Sequence, residues 1–424
     1  MKIAIIGTGI AGNVAAYKLR EHHDITVFEA ASYVGGHSNT VHVYEQGRRL
    51  AVDTGFIVFN ERTYPEFTKL LADIGQQSQR SEMSFSVRSE NGALEYNGRS
   101  LDALFAQRRN LVRPQFYRMI ADILRFNRDA ERQLQGLPPD LTLGDYLIAN
   151  HYSQQFIDHY LVPMVAAIWS AEPVRALDMP AGFLVRFFAN HGLMQLRDRP
   201  TWRVIKGGSR AYVDTLVAQH RDRIHLNSPV RALRRTAAGI ELRAGSAAPA
   251  VFDAVFVACH SDQALRMLVE ASSAEHEVLG AIRYQQNEAI LHTDAKMMPA
   301  RRKAWAAWNY HVPQDPTRHV AVTYNMNILQ GIDARHQYCV TLNDDRSIDP
   351  DRVIRRISYQ HPVFNAQAIR AQQRQQELNQ DRLFFCGAYW GNGFHEDGVV
   401  SALAAVRHFE EWQRHAELHL RRTG

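Results

Sequence analysis

The chain has 424 residues, of which 46% are hydrophobic and 22% are charged, as is usual for a globular protein with large buried cores. Its 49 lysines and arginines exceed its 44 aspartates and glutamates by only five, a balance that does not indicate nucleic-acid binding. Three widely spaced cysteines show no metal-binding pattern, so we expect a reduced, cytoplasmic protein without a metal ion. Because a strand pattern begins at residue 2, we expect no signal peptide, and no apolar run reaches the ~18 residues of a membrane span.

The first segment has the order of a dinucleotide-binding unit. It comprises an apolar strand at residues 2–6, the turn Gly7-x-Gly9-x-x-Gly12, a helix at residues 13–21, a strand at residues 25–28, Glu29, and the pair Gly35-Gly36. The glycines allow a tight turn and a close backbone approach to a pyrophosphate, while the helix N-terminus offers free N–H groups. An acid at the end of the second strand is placed to accept hydrogen bonds from a ribose. This combination predicts a bound dinucleotide.

The next stretch predicts two hairpins, a helix and a helical lobe. The hairpins turn at Gln46-Gly47 and Asn91-Gly92, and residues 64–74 form the helix. From residue 101 to residue 191, apolar residues recur every three or four positions, which predicts a helical insertion. We interpret its aromatic and methionine side chains as core rather than as a ligand pocket; they are Trp169, Phe183, Phe187, Phe188 and Met194.

Nucleotide-type patterns return in the middle and at the end of the chain. Gly207-Gly208 and the strand around Val230 follow the helical lobe, and a late apolar strand ends at Gly387. A glycine-rich loop then leads to a predicted helix at residues 399–412. We therefore predict an α/β fold whose Rossmann-like domain is discontinuous, comprising residues 1–75, 202–275 and 378–424. Residues 76–201 and 276–377 would form a mixed α+β substrate domain that includes the helical lobe.

These three segments resemble the flavin-containing amine oxidase superfamily, which includes monoamine oxidases, phytoene desaturases and protoporphyrinogen oxidases. A closer resemblance is to bacterial amine-oxidase-like flavoproteins associated with cyclopropane-fatty-acid synthases. It rests on segments spread over almost the whole chain: Trp202-Arg-Val-Ile-Lys-Gly-Gly-Ser209, Ala258-Cys-His-Ser-Asp-Gln-Ala-Leu265, Leu291-His-Thr-Asp294, Trp305-Ala-Ala-Trp-Asn-Tyr310 and Gly393-Phe-His-Glu-Asp-Gly398.

The resemblance implies non-covalent FAD and a set of cofactor contacts. They are Gly7, Gly9, Ile10, Ala11, Gly12, Glu29, Ala30, Gly35, Gly36, His37, Gly55, Phe56, Val230, Gly387, Ala388, Asp397, Gly398 and Val399. The chain departs from the superfamily at two of these positions, where His37 replaces an arginine and Ala388 replaces an aspartate. Candidate acid or base residues are Lys296 and His395; the alternative interpretations are a surface lysine and a helix-capping cluster.

The expected reaction is hydride transfer from a substrate C–H bond to the flavin, by an oxidase, dehydrogenase or desaturase. The resemblance favours a fatty-acyl or lipid-linked substrate; whether oxygen or a quinone is the electron acceptor stays open. Two alternatives stay open: an oxidase of small amines, whose aromatic cage could include Tyr389 and Trp390, and a non-catalytic FAD-binding partner of a lipid-modifying enzyme. We interpret the basic runs Arg108-Arg109 and Arg301-Arg302-Lys303 as solvated faces, although the lobe is also compatible with peripheral membrane contact.

Overall fold

The computed structural model describes residues 1–90, 92–169, 173–195, 198–312, 321–344 and 347–423. Its strands are β1 (Lys2–Ile6), β2 (Asp24–Phe28), β3 (Thr40–Glu45), β4 (Arg48–Asp53), β5 (Val58–Asn60), β6 (Ser78–Arg80), β7 (Phe85–Ser89), β8 (Glu95–Asn97), β9 (Trp202–Ile205), β10 (Ile224–His225), β11 (Val230–Thr236), β12 (Gly239–Ala244), β13 (Ala250–Phe252), β14 (Ala254–Val257), β15 (Arg283–His292), β16 (Trp308–Val312), β17 (Ala321–Asn325), β18 (Cys339–Leu342), β19 (Val353–Val363) and β20 (Leu383–Phe385).

Helices connect these strands and form most of the chain between β8 and β9. They are α1 (Ile10–Leu19), α2 (Pro65–Asp73), α3 (Leu101–Leu104), α4 (Pro114–Gln133), α5 (Leu143–Ala149), α6 (Gln154–Phe156), α7 (Val162–Trp169), α8 (Pro173–Leu177), α9 (Ala181–Asn190), α10 (Ser209–Val217), α11 (Ser261–Met267), α12 (Ser273–Ala281), α13 (Met326–Gln330), α14 (Ala366–Gln372), α15 (Gln375–Leu378) and α16 (His395–Thr423).

A five-stranded parallel sheet forms the centre of one half of the molecule. Its order is β10-β2-β1-β14-β20, so strands from the start, the middle and the end of the chain lie side by side. The central strands are nearly all apolar because helices cover both faces of the sheet. This topology brings the carboxyl ends of β1, β2 and β14 to one edge, where a ligand of such a fold binds.

A second, seven-stranded sheet forms the centre of the other half. Its order is β19-β15-β18-β17-β16-β7-β8, and it is antiparallel except for the parallel pair of β7 and β16. Side chains from α4 to α9 and from this sheet belong to one hydrophobic core. The helical lobe therefore packs against the second sheet.

The hairpin of β3 and β4 confirms the turn expected at Gln46-Gly47, where both residues have positive φ angles of 50° and 76°. β7 and β8 also pair as an antiparallel hairpin, although Asn91 of its expected turn lies outside the described residues. The smaller sheets are β11-β12-β13 and β5-β9-β6.

Two predicted helices have different bounds in the structure. The first begins at Ile10, three residues before its predicted start, because Gly9 serves as its N-cap. The last begins at His395 rather than at residue 399 and continues to Thr423. Asp397 explains the earlier start, since its Oδ2 accepts a hydrogen bond from the Phe394 N–H and so caps the helix from within its first turn.

Candidate functional site

A continuous cleft of about 1480 Å³ lies between the two halves of the molecule. One end is lined by the loops that follow β1, β2 and β14, and the other end by residues of the second sheet and of α7 and α9. Segments near both chain ends contribute to its wall. Such a volume is large enough for a dinucleotide with room for a substrate beside it.

The turn after β1 has the geometry of a phosphate site. Gly7 has a φ of +97°, and a Cβ at that position would lie 2.7 Å from the Ala258 carbonyl oxygen, so only glycine fits. A Cβ on Gly12 would lie 2.0 Å from the Gly7 carbonyl oxygen, which explains the close packing of α1 on the turn. A Cβ on Gly9 would meet no atom within 4 Å, because this glycine faces the open cleft.

The N-terminus of α1 opens onto the same part of the cleft. Ile10 and Ala11 line the cleft wall, and no side chain caps the first turn of the helix. Free N–H groups at a helix N-terminus bind phosphate oxygens well, and the helix dipole adds to that attraction. The predicted pyrophosphate contacts Gly7, Gly9, Ile10 and Ala11 therefore lie together, whereas Gly12 is a packing residue outside the cleft lining.

Glu29 lies at the end of β2 on the cleft wall. Its Oε2 accepts a hydrogen bond from the Thr8 N–H at 2.9 Å, and its Oε1 accepts one from the Ala31 N–H at 2.8 Å. These bonds hold the carboxylate beside the glycine turn, where a ribose hydroxyl could donate to it. Ala30 and Val230 line the same end of the cleft.

Gly35, Gly36 and His37 form the facing wall. A Cβ on Gly36 would lie 3.3 Å from the Gly9 Cα, so this segment approaches the glycine turn closely. The His37 ring stacks on Tyr359 with a centroid separation of 4.6 Å, and its Nε2 is buried without a hydrogen-bond partner in the described residues. Burial, with a smaller contribution from nearby His361, holds the pKa of His37 well below its ordinary value.

The C-terminal segment is only partly in the predicted position. Gly387 and Ala388 line the cleft, as do Gly55 and Phe56. Asp397, Gly398 and Val399 are not among the residues that line the cleft, so their contact with the cofactor stays a prediction. α16 begins at His395, which lies at the cleft, while Gly398 and Val399 are buried behind it. Gly398 packs against Ile10, so it supports the cleft wall from behind.

The three titratable residues at the start of α16 have separate structural partners. His395 Nε2 lies 2.9 Å from both the Ser38 Oγ and the Tyr212 hydroxyl. Its ring stacks on Phe56 with centroids 3.5 Å apart, and burial lowers its pKa to about 3. His395 lines the cleft, and its lowered pKa keeps the imidazole neutral at neutral pH, so the residue does not act there as an imidazolium general acid.

The two acids that follow are helix caps. Glu396 accepts hydrogen bonds from the Glu66 and Phe67 N–H groups at 3.0 and 2.9 Å, which caps α2 from a distant part of the chain. Asp397 caps α16 itself, and burial raises its pKa to about 6. The predicted capping alternative therefore describes these two residues better than a catalytic cluster does.

Lys296, a predicted catalytic candidate, is not among the residues that line the cleft. It lies in a short 3₁₀ turn, and its side chain is exposed. Its backbone N–H donates to Asp294, which belongs to the turn that starts this segment. The structure therefore supports the alternative interpretation of a surface lysine.

The apolar end of the cleft was not predicted from the sequence. Trp169 and Phe187 are buried core residues, as predicted, and in addition line the cleft, whereas Phe183, Phe188 and Met194 are core residues outside the lining. Strands of the second sheet add further large side chains to the same end; they include Phe85, Trp308, Tyr324 and Leu342. Tyr389 also lines the cleft, but Trp390 does not, and their rings are tilted by 40° at 5.0 Å. These two residues therefore form no facing aromatic pair.

Five exposed arginines line the cleft. Arg231 and Arg266 lie near its nucleotide end, and Arg80, Arg99 and Arg199 lie elsewhere along its margin, with Arg99 paired to Glu82 at 2.8 Å. Glu29 is the only carboxylate among the described lining residues, and it lies at the nucleotide end. The apolar end thus combines aromatic walls with arginines and without an acid.

The residues at the nucleotide end fit FAD. The uncapped N-terminus of α1, the open face of Gly9 and the unpartnered Nε2 of His37 converge where a pyrophosphate would complete their hydrogen bonds. Within the described ranges, no group of three or more His, Cys, Asp or Glu side chains is arranged as a metal site. No helix in that part of the chain is both long enough and apolar enough to cross a bilayer.

Comparison with solved structures shows the same fold despite low sequence identity. Cyclohexylamine oxidase from Brevibacterium oxydans IH-35A aligns with a TM-score of 0.70 at 15% identity, covering 97% of this chain and 99% of the other. A CLA-producing fatty acid isomerase from P. acnes gives 0.69 at 17% identity, covering 96% and 98%. Putrescine oxidase bound to putrescine gives 0.66 at 14% identity, covering 96% and 99%. A search of curated proteins finds no match.

The match to a family model shows to which family the chain belongs. The model for flavin containing amine oxidoreductase matches residues 10–315, which is well over half of the chain. The match confirms the predicted α/β, amine-oxidase-like fold and identifies FAD as the cofactor. The chain belongs to the flavin-containing amine oxidoreductase family and is an FAD-dependent oxidoreductase.

Proposed function

We propose that this enzyme oxidises or desaturates the acyl chain of a substrate that carries an anionic head group. The observation that carries the proposal is the composition of the apolar end of the cleft: aromatic and aliphatic walls, arginines at the exposed margin, and no carboxylate among the described lining residues. Aromatic walls favour an apolar chain, and guanidinium groups pair with carboxylates or phosphates. A cationic amine would meet positive charge at the same place.

Glu29 and residues 7–11 would hold the ribose and pyrophosphate of FAD, with Gly35, Gly36 and His37 on the opposite side. Val230 would contact the adenosine half, and Gly387 and Ala388 would lie along the other half. When bound, FAD supplies the acceptor for a hydride. Side chains such as Trp169 and Phe187 would fix the orientation of the substrate chain and exclude water from the reacting bond.

The N-terminus of α16 would stabilise negative charge in the site through the helix dipole. Phe394 and His395 line the cleft at the start of this helix, so its positive dipole end is directed at the site. The lowered pKa of His395 keeps its ring neutral, and the bonds from Ser38 and Tyr212 fix its orientation. We therefore assign His395 a positioning role for the cleft wall.

An anaerobic substrate screen tests the proposed substrate class. Fatty acids, acyl phospholipids and small amines such as putrescine and cyclohexylamine would be added separately to the FAD-loaded enzyme, while the absorbance of the oxidised flavin is followed. We expect acyl substrates to bleach the flavin band and amines to leave it unchanged. Bleaching by amines alone would show an amine oxidase. No bleaching, with no change in the position of substrate double bonds, would support a non-catalytic flavoprotein.

Arg80 provides a second test of the same proposal. It lies at the end of β6, three residues before Met83 of the cleft lining, and it has no ion-pair partner among the described residues. Arg80→Gln is expected to raise the KM for a carboxylate substrate about tenfold, because the substrate loses one partly exposed charge-assisted hydrogen bond. The kcat should change little. Arg128→Gln is the matched control, since Arg128 is an exposed arginine on α4 outside the lining. An equal effect of the two substitutions would contradict a substrate contact at Arg80.

A further inference from the structure

Two basic runs that are distant in sequence lie on one face of the protein. We call this surface, formed by residues 99–118 and 301–303, the basic face. α3 contacts the 3₁₀ turn Arg302–Ala304, and the Asp102 carboxylate bridges the two parts. Asp102 pairs with Arg108 on one side and with the Lys303 Nζ at 3.0 Å on the other.

The basic face carries more positive charge than its acids neutralise. The two segments of the face carry seven arginines and Lys303 but a single acid, Asp102. Three further carboxylates pair with the face from neighbouring segments: Glu82 with Arg99, Asp122 with Arg118, and Glu95 with Arg301. Among the described residues, no carboxylate pairs with Arg109, Arg113 or Arg302; the first two donate to the carbonyl oxygens of Gly92 and Ala93. This arrangement leaves a surface of positive potential that attracts anions.

Exposed apolar side chains lie between these arginines. Leu101 is 77% exposed and Val112 is 81% exposed, and Leu111 and Tyr117 are about half exposed. They are not part of the core of the lobe, to which α4 contributes Phe116 and other buried side chains from its opposite face. A polyanion such as RNA would bind to the arginines alone, whereas the interface of a bilayer can bind both the arginines and the exposed apolar side chains.

The basic face borders the mouth of the cleft. Tyr96, Gly98 and Arg99 line the cleft, and Leu101 follows two residues after Arg99. A surface that is bound through Leu101 and Val112 would therefore lie next to the cleft opening. This position allows an acyl chain to pass from a bilayer into the cleft, a step that rests on the proposed function.

We propose that the basic face docks the enzyme on the surface of an anionic lipid bilayer. The exposed leucine, valine and tyrosine side chains enter the boundary between head groups and acyl chains. The arginines pair with lipid phosphates and give the binding its dependence on anionic lipid and on salt. No conformational change of the described elements is needed, because the apolar side chains are already exposed.

The test is sedimentation of the FAD-loaded enzyme with vesicles of phosphatidylcholine alone or of phosphatidylcholine mixed with phosphatidylglycerol. We expect binding to the mixed vesicles only, weakened by salt. The double substitution R109Q/R113Q should lower the partition coefficient about thirtyfold, since each arginine near an anionic surface contributes about fivefold. L101S/V112S should weaken binding as well, and R109K/R113K should retain it. The matched control is R128Q/R132Q, which removes two exposed arginines at the other end of α4.

Several outcomes would overturn the docking proposal. They are failure to bind the mixed vesicles, equal loss in the control variant, and binding of an RNA oligonucleotide in place of vesicles. Flavin content and circular dichroism of each variant check that it is folded. Oxidation of a monomeric acyl substrate in solution should be unchanged in R109Q/R113Q, so a failure of docking is distinguishable from a failure of the proposed reaction.

Discussion

Substituting Gly398 by alanine should weaken FAD binding although Gly398 is outside the cleft lining. A Cβ at this position would lie 2.5 Å from the Ile10 Cγ2 and 3.8 Å from the Ala11 N atom. Ile10 and Ala11 form the cleft wall at the N-terminus of α1, directly in front of Gly398. The added methyl group thus pushes on the part of the wall that would hold the pyrophosphate.

The size of the effect follows from the overlap. Carbon atoms in contact are about 3.5–4.0 Å apart, so the new methyl group overlaps Ile10 by about 1 Å. Ile10 is only 8% exposed and is branched at Cβ, so it has little room to rotate away. Overpacking of this kind costs about 1–3 kcal/mol. If the strain displaces the cleft wall, the affinity for FAD falls by about 5-fold to 150-fold.

The assay is an FAD titration of the apoprotein, in which binding is monitored by the quenching of flavin fluorescence. Gly398→Ala, Ile10→Ala and the double substitution form a cycle, because removing the Ile10 side chain makes room for the methyl group. We expect Gly398→Ala to weaken binding strongly in the natural background and little in the Ile10→Ala background. Wild-type affinity for FAD in Gly398→Ala, or an equal loss of affinity in both backgrounds, would refute the reasoning. Without the overlap, the substitution should be favourable, because alanine stabilises a helix more than glycine does.

Three further predictions concern the groups around the cleft. The buried neutral ring of His37 should take up a proton when the pyrophosphate binds, so the affinity for FAD should increase by at most about tenfold for each unit by which the pH falls. In FAD titrations from pH 8 to pH 6, His37→Gln should remove most of this pH dependence. Asp53 accepts hydrogen bonds from Thr40, Ser209 and Gln330, so Asp53→Asn should lower the free energy of unfolding by about 2 kcal/mol in urea denaturation; an unchanged midpoint would contradict that network. Glu396→Ala removes the cap of α2 and should cost about 1 kcal/mol by the same measurement, whereas the exposed Glu410→Ala serves as a control that changes nothing.

The nucleotide end was predictable because its signals are local. The strand, the glycine turn and the acid lie within one short segment, and each residue type has a backbone or ligand requirement that few others meet. Gly7 and Glu29 therefore lie where the sequence indicates. The start of α16 was missed because its capping acid, Asp397, follows the residue it caps, and the sequence alone suggested a later cap.

The apolar end could not be predicted because its signals are distributed. Trp169 and Phe187 have the same helical spacing as their buried neighbours, and only the packing of α7 and α9 against the second sheet decides which rings face the cleft. Glu396 caps α2 through backbone partners that lie about 330 positions earlier in the chain, a contact that no local pattern indicates. The grouping of the two basic runs also required the tertiary contact through Asp102.

The placement of β20 at the edge of the parallel sheet has a consequence for biosynthesis. β20 and the cleft residues 387–395 are synthesised after the other strands of this sheet, although they complete a site whose glycine turn is made first. A nascent polypeptide therefore carries an unfinished pocket with uncovered aromatic rings until β20 has left the ribosome. Cofactor binding, and the stability that it adds to the folded state, has to wait for that last strand.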